Sequence, residues 1–185
     1  MPKTPIHPEP IISHVKSGDG NFSRFINVES VPDEGLDISV CASGAERAAL
    51  AVECGLEAIE SFEANFRVTK PSSARFRVSG SVAARVVQTC VITLEPFAAD
   101  VMAEINVEFV TPGDINAGTG GFAAVIEEDP PDPVVDGQID IGALAAEFLV
   151  LNLDLYPRKP GAVFEWFDTG AEETDSPFAV LRQRR

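Results

Sequence analysis

The side chains that could do chemistry in this chain are few, and carboxylates dominate them. Glu127, Glu128 and Asp129 run together ahead of Pro130-Pro131-Asp132-Pro133. Converging carboxylates can hold a divalent cation and activate water, but only where the backbone fixes them at ligand geometry. Acids in a proline-rich stretch, or alternating outward along strands, read instead as solvated surface. The three cysteines, Cys41, Cys54 and Cys90, are an odd number at no metal-ligand spacing and read as reduced, mostly buried thiols. A nucleophilic thiol needs a base or positive surroundings to lower its pKa. Cys90 shares its parity with apolar residues, so it reads as a packing residue. His7 and His14 are the only histidines and both lie near the start, which leaves none for a triad or zinc site in the core. Gly118-Thr119-Gly120-Gly121 lacks the Lys-Ser/Thr that follows a phosphate-cradling loop and reads as linker. The expectation is a protein without catalytic residues, metal or cofactor.

The charge pattern says more. The chain has 185 residues and a formal net charge of −15. Such a surface repels phosphate and anionic membranes and attracts basic partners. Between Arg85 and Arg158 there is no lysine or arginine, whereas the same interval carries 13 acidic residues. The acidic run Glu127, Glu128 and Asp129 is one candidate contact for a basic partner. The candidate basic contacts are Arg158 and Lys159, and Phe178, Leu181 and Arg182 of the terminal segment, which reads equally as a docking segment or as a strap folding back on its own domain. Arg158 and Lys159 could also complement the dipole of a preceding helix.

The elements that must position these residues follow from periodicity. Residues 1–20 hold prolines, glycines and few core formers and read as a flexible arm. Its first ten residues contain no apolar core of a secretory signal, and no run of 18 apolar residues occurs, so a cytoplasmic protein is expected. Phe22 to Val28 can run as a strand, a turn at Pro32-Asp33-Glu34-Gly35 follows, and Leu36 to Cys41 is a second strand. Ser43 and Glu46 form a capping-box pattern for a helix to about Cys54, with Ala45, Ala48, Ala49, Val52 and Leu56 as its apolar face and Gly55 as its stop. Phe62, Ala64, Phe66 and Val68 alternate with polar residues as a half-buried strand.

After Pro71-Ser72-Ser73, one parity from Phe76 to Leu94 is apolar apart from Gln88, and it includes Cys90 and Leu94. A strand so long predicts a bend, with Gly80 its natural place and Ala83-Ala84 a second. Pro96 ends the run, and Val101 to Phe109 alternate as a further strand. Residues 111–137 read as a long acidic loop. Asp140 caps a second helix from Ile141 to about Leu153, with Ile141, Leu144, Ala145, Phe148 and Leu151 on one face, and Pro157 stops it. The predicted fold is α+β: an antiparallel, strongly bent β-meander, or one curling toward a barrel, packed with two main helices. One domain spans residues 21–157, and 158–185 form a tail.

Three separated stretches then resemble a known family. The run Val82 to Phe97, with Gln88, Cys90, Leu94, Pro96 and Phe97, resembles the central signature of the YceD-like proteins, named for large ribosomal RNA subunit accumulation. Gly137 to Ile141, with Asp140, leading through the apolar helix to Leu155-Tyr156-Pro157-Arg158-Lys159-Pro160-Gly161-Ala162, resembles the second, and Pro177 to Leu181 the third. The Tyr-Pro-Arg-Lys-Pro-Gly run is most similar to the alphaproteobacterial branch. The resemblance covers roughly residues 21–185 and implies a role in large-subunit biogenesis without known catalysis. Some members carry Cys-x-x-Cys in the central signature with a further cysteine and histidine after the second helix, a candidate zinc site. Here the second position is Thr93 and the later stretch has Arg158 and Lys159, so no metal is expected. The partner implied is a basic ribosomal protein or a pre-ribosomal particle, with RNA contact only through the basic tail and no membrane contact. A Mg²⁺-dependent RNA-processing hydrolase and an interaction domain unrelated to ribosomes are the alternatives.

Overall fold

The computed structural model describes residues 15–17, 22–112 and 130–165, and the fold is α+β. In chain order the elements are β1 (Val15–Ser17), β2 (Arg24–Asn27), β3 (Leu36–Cys41), α1 (Gly44–Glu53), β4 (Ala58–Thr69), β5 (Arg75–Thr89), β6 (Pro96–Val110), β7 (Asp132–Pro133), β8 (Gln138–Asp140) and α2 (Ile141–Leu151). A 3-10 turn, Val28–Ser30, follows β2. No helix among the described residues is long and apolar enough to cross a membrane.

Two sheets form. The larger has the order β3-β4-β5-β6-β7, antiparallel except for the parallel β6–β7 pair. It stays open: β3 and β7 are its edges. The smaller, β1-β2-β8, joins the start of the described chain to residues 138–140. Neither β7 nor β8 was visible in the sequence, which reads as one loop across 111–137. Val134 is buried there, and its N–H donates to the Val110 carbonyl at 2.8 Å.

Strands β4, β5 and β6 show the predicted alternation. Phe62, Ala64, Phe66 and Val68 of β4, Phe76, Val78, Val82, Ala84 and Val86 of β5, and Val101, Ala103, Ile105 and Phe109 of β6 are all buried. One expectation fails in β5. The strand ends at Thr89, so Cys90 and Leu94 belong to a turn that reverses the chain into β6, and Pro96 opens that strand instead of ending the previous one. Gly80 is not a register break. It pairs with Phe66 and Ile105 with no shift on either side, Ala83 and Ala84 keep the same unbroken register, and the irregularity lies in β4 between Ile59 and Ser61. Gly80 serves close approach instead: a Cβ there would stand 2.0 Å from the Asn65 carbonyl oxygen.

The outer face of the sheet is a set of cross-strand ion pairs. Arg67 takes both carboxylate oxygens of Asp37, Arg75 and Arg77 meet Glu108, and Arg85 bridges Glu60 at 3.0 Å and Asp100 at 2.8 Å. These pairs fix register more than they stabilise, because exposed pairs gain little over water.

The helices cover the inner face. The capping box of α1 forms, with Ser43 and Glu46 exchanging hydrogen bonds, and Gly55 takes a φ of +65° at its end. Glu46 also pairs with Arg24 at 2.7 Å. Burial alone would raise the Glu46 carboxyl pKa, but the Ser43 N–H and hydroxyl and the Arg24 guanidinium outweigh it and lower it. The buried face of α1 is not the one the alanines suggest. Leu50 and Ala51 are buried, whereas Val52 is 82% exposed. Burying alanine methyls gains little, so the single leucine sets the helix rotation. In α2 the buried residues are Ile141, Leu144, Ala145 and Leu149, with Phe148 half-buried. Leu151, expected on that face, is 69% exposed because α2 ends there and the chain turns away.

Candidate binding surface

The turn of residues 90–95 and the segment of residues 152–161, far apart in sequence, meet. Gln88, the one buried polar side chain among the described residues, donates through Nε2 to the Asp154 carbonyl at 3.0 Å. The Val91 N–H donates to the Pro157 carbonyl at 2.9 Å. Lys159 Nζ reaches Glu95 at 2.9 Å, an attachment that lowers the Glu95 pKa and raises that of Lys159. The Asp154 carboxylate accepts the Tyr156 N–H at 2.9 Å, turning the chain toward the 90–95 turn. Lys159 therefore serves this junction and not the end of α2, which lies eight residues back, beyond the reach of a helix dipole.

Cys90 sits at the centre of the turn and is fully buried. Its N–H donates to the Glu95 carbonyl and its carbonyl accepts the Leu94 N–H, each at 2.9 Å. Its thiol is not in an apolar setting, as strand parity suggests. The Thr93 hydroxyl, chiefly, and the N–H groups of Thr93, Lys159 and Ile92 all face the sulfur and lower its pKa to about 6 against the opposing effect of burial. Leu94 closes the turn at a φ of +58°, a conformation sequence patterning does not associate with leucine, and its side chain is 76% exposed. Cys90, Thr93 and the Arg158-Lys159 stretch thus come together, where the resemblance implied a zinc site in other members and its loss here. Among the described residues no three His, Cys, Asp or Glu side chains are grouped as metal ligands.

The other sequence candidates sort as follows. Asp140 caps α2, its Oδ1 accepting the N–H groups of Gly142 and Ala143 at 3.0 Å. Pro96 and Phe97 begin β6 opposite Thr89 and Gln88. Arg158 is exposed and has no ion pair among the described residues. Glu127, Glu128, Asp129, Phe178, Leu181 and Arg182 lie outside the described residues. Sequence reasoning missed an apolar surface at the junction: Val91 and Leu94 on the turn, and Leu155 and Tyr156 on the segment that meets it, are 45%, 76%, 83% and 72% exposed. The only signal for it was the failure of Leu155 and Tyr156 to fit the periodicity of α2.

The family model described as large ribosomal RNA subunit accumulation protein YceD matches residues 78–183, which take in most of β5, the turn, β6, α2 and the segment that closes on the turn. Nothing among curated proteins or solved structures matches the chain. The match extends over more than half of the sequence, and the chain belongs to the YceD family of large ribosomal RNA subunit accumulation proteins.

Proposed function

We propose that this protein acts in large ribosomal subunit biogenesis by binding, without catalysing a reaction, and that its partner is a basic ribosomal protein or a precursor particle carrying one. Membership of the YceD family supports the ribosome-related role. The observation that carries the binding mode is the acidic interval from Val86 to Pro157, free of lysine and arginine. In the fold this interval supplies Asp100, Glu104 and Glu108 on the outer face of β6, and Asp132 and Glu147 beside them on β7 and α2. Arg85 pairs with Asp100, and Arg75 and Arg77 pair with Glu108, so those two acids are offset, and the uncompensated field comes from Glu104, Asp132 and Glu147, which have no ion pair among the described residues. A cationic protein surface gains attraction here that an RNA backbone would not.

Co-sedimentation of the purified protein with large-subunit proteins and precursor particles, at low and at high salt, tests this. Association at low salt that weakens as salt rises is the expected result. A protein that stays in the supernatant at low salt removes the proposal. Incubation with precursor ribosomal RNA, with and without Mg²⁺, checks the non-catalytic half: unchanged RNA is expected, and metal-dependent cleavage overturns it.

A further inference from the structure

The large sheet has one long side that nothing among the described residues covers. Strand β6 runs from Pro96 to Val110, and β5 pairs with it throughout. On its other side β7 pairs only at Phe109 and Val110. The sequence enforces that stop. In a parallel pair Pro130 and Pro131 would come next along β6, and neither has an N–H to give.

The orientation of the free groups follows from the ladder. The Val110 carbonyl accepts the Val134 N–H, so Val110 turns its backbone toward the β7 side. Residues of an antiparallel strand alternate in this respect, and β5–β6 register is unbroken. Ala98, Asp100, Met102, Glu104 and Asn106 therefore aim their N–H and C=O groups away from β5, at open space. Such an edge is a template for another strand.

We propose that this edge, residues 98–106, takes an extended cationic segment of a partner protein as an added strand. The inference rests on the basic-partner reading above and names the surface that reading uses. An added strand would put alternate side chains on two faces. Those on the outer face would stand beside Asp100, already paired with Arg85, and Glu104, which has no ion pair among the described residues and favours lysine or arginine. Those on the inner face at the Asn106 end would meet the cleft between β6 and α2, whose lining includes Val107, Leu144 and Phe148 together with Arg77, Glu108, Asp132 and Glu147. The fitting sequence therefore alternates basic and apolar residues. Charge disfavours two other occupants; it does not disfavour the chain's own terminal segment with Arg182, Arg184 and Arg185, and protection of the even-numbered amides in the free protein would assign the edge to that segment instead. A second copy pairing edge to edge would set Asp100, Glu104 and Glu108 against the same acids. The chain's own residues 113–129 hold four acids and no lysine or arginine.

Amide hydrogen exchange on the full-length protein, with a synthetic peptide alternating lysine and valine as the probe, tests the proposal. The even-numbered amides of residues 98–106 should exchange freely in the free protein and slow on adding the peptide, while the odd-numbered ones, bonded to β5, stay slow throughout. Met102→Pro removes one outward N–H at an exposed position and should weaken peptide binding at least about tenfold. The double change Asp100→Lys, Glu104→Lys should weaken it comparably, with cooperative unfolding retained in both variants. Three results overturn the proposal: even-numbered amides already protected in the free protein, protection that appears elsewhere, or equal binding of a lysine–proline peptide that is indifferent to Met102→Pro. The last leaves a charge-only contact, so the basic-partner reading survives. Loss of co-sedimentation with ribosomal proteins ends that reading independently.

Discussion

Asp140 Oδ1 accepts the backbone N–H of Arg24 at 2.7 Å, across 116 positions of sequence, while also accepting the first free N–H groups of α2. One carboxylate thus caps a helix and ties it to β2. Arg24 in turn lies over the Phe22 ring at 4.9 Å and pairs with Glu46 at the start of α1. Asp140→Ala should cost about 2 kcal/mol, the upper range for a cap, because the Arg24 N–H also loses its acceptor. Asp140→Asn should retain most of that. Urea midpoints at constant slope measure both.

Gly80→Ala should destabilise the protein by about 1–3 kcal/mol although Gly80 is in a strand, where alanine is ordinarily no worse. The added Cβ meets the Asn65 carbonyl oxygen at 2.0 Å, a backbone atom that cannot rotate away. Thermal unfolding is the measurement, and unchanged stability would mean that β4 and β5 separate without cost at this point.

Gln88→Ala should loosen the signature junction without unfolding the sheet. Its side chain holds the Asp154 carbonyl, beside the Val91–Pro157 bond. The net loss should be about 1 kcal/mol, and Val91 amide exchange should quicken by more than that of β5. Uniform acceleration across the sheet would show instead that Gln88 supports the whole core.

Cys90 makes a prediction about pH and another about reactivity. Its folded pKa, about 6, lies below the ordinary thiol value, so the ionised form is the one the fold favours. The stability this contributes is fully present above pH 9 and is lost as pH falls through 6. Cys90→Ala should therefore flatten the urea midpoint between those limits. Burial nonetheless keeps reagents away, so in the native protein the exposed Cys41 should alkylate first and Cys90 only on unfolding. Mass spectrometry of partially alkylated protein distinguishes them.

Local signals carried much of the fold. The Ser43–Glu46 box, the Asp140 cap, strand β3 and the buried parity of β4 and β6 all depend on neighbours a few residues apart, and all form as read. The failures are cases in which a distant partner decides. Cys90 and Leu94 continue the parity of β5, but Pro157 and Lys159 take up the backbone and charge of that stretch and hold it as a turn. Residues 132–133 and 138–140 are too short to show alternation and become strands only because β6 and β2 offer edges. The candidate site was legible as two separate stretches. Their meeting was implied only by resemblance, and the exposed apolar surface at their junction has no periodicity to reveal it.

The small sheet has a consequence for the order in which the chain can fold as it is made. Ile26 pairs with Ile139, so β2 emerges long before its partner exists. Strands β4 to β6 are joined by short connections and can zip in sequence, and β3 joins β4 across α1, but β2 has only β1 beside it, and Ile26 lacks its partner, until β8 and α2 have been synthesised. During that interval the nascent protein carries an unfinished sheet, and release of the last third of the chain is the event that completes it.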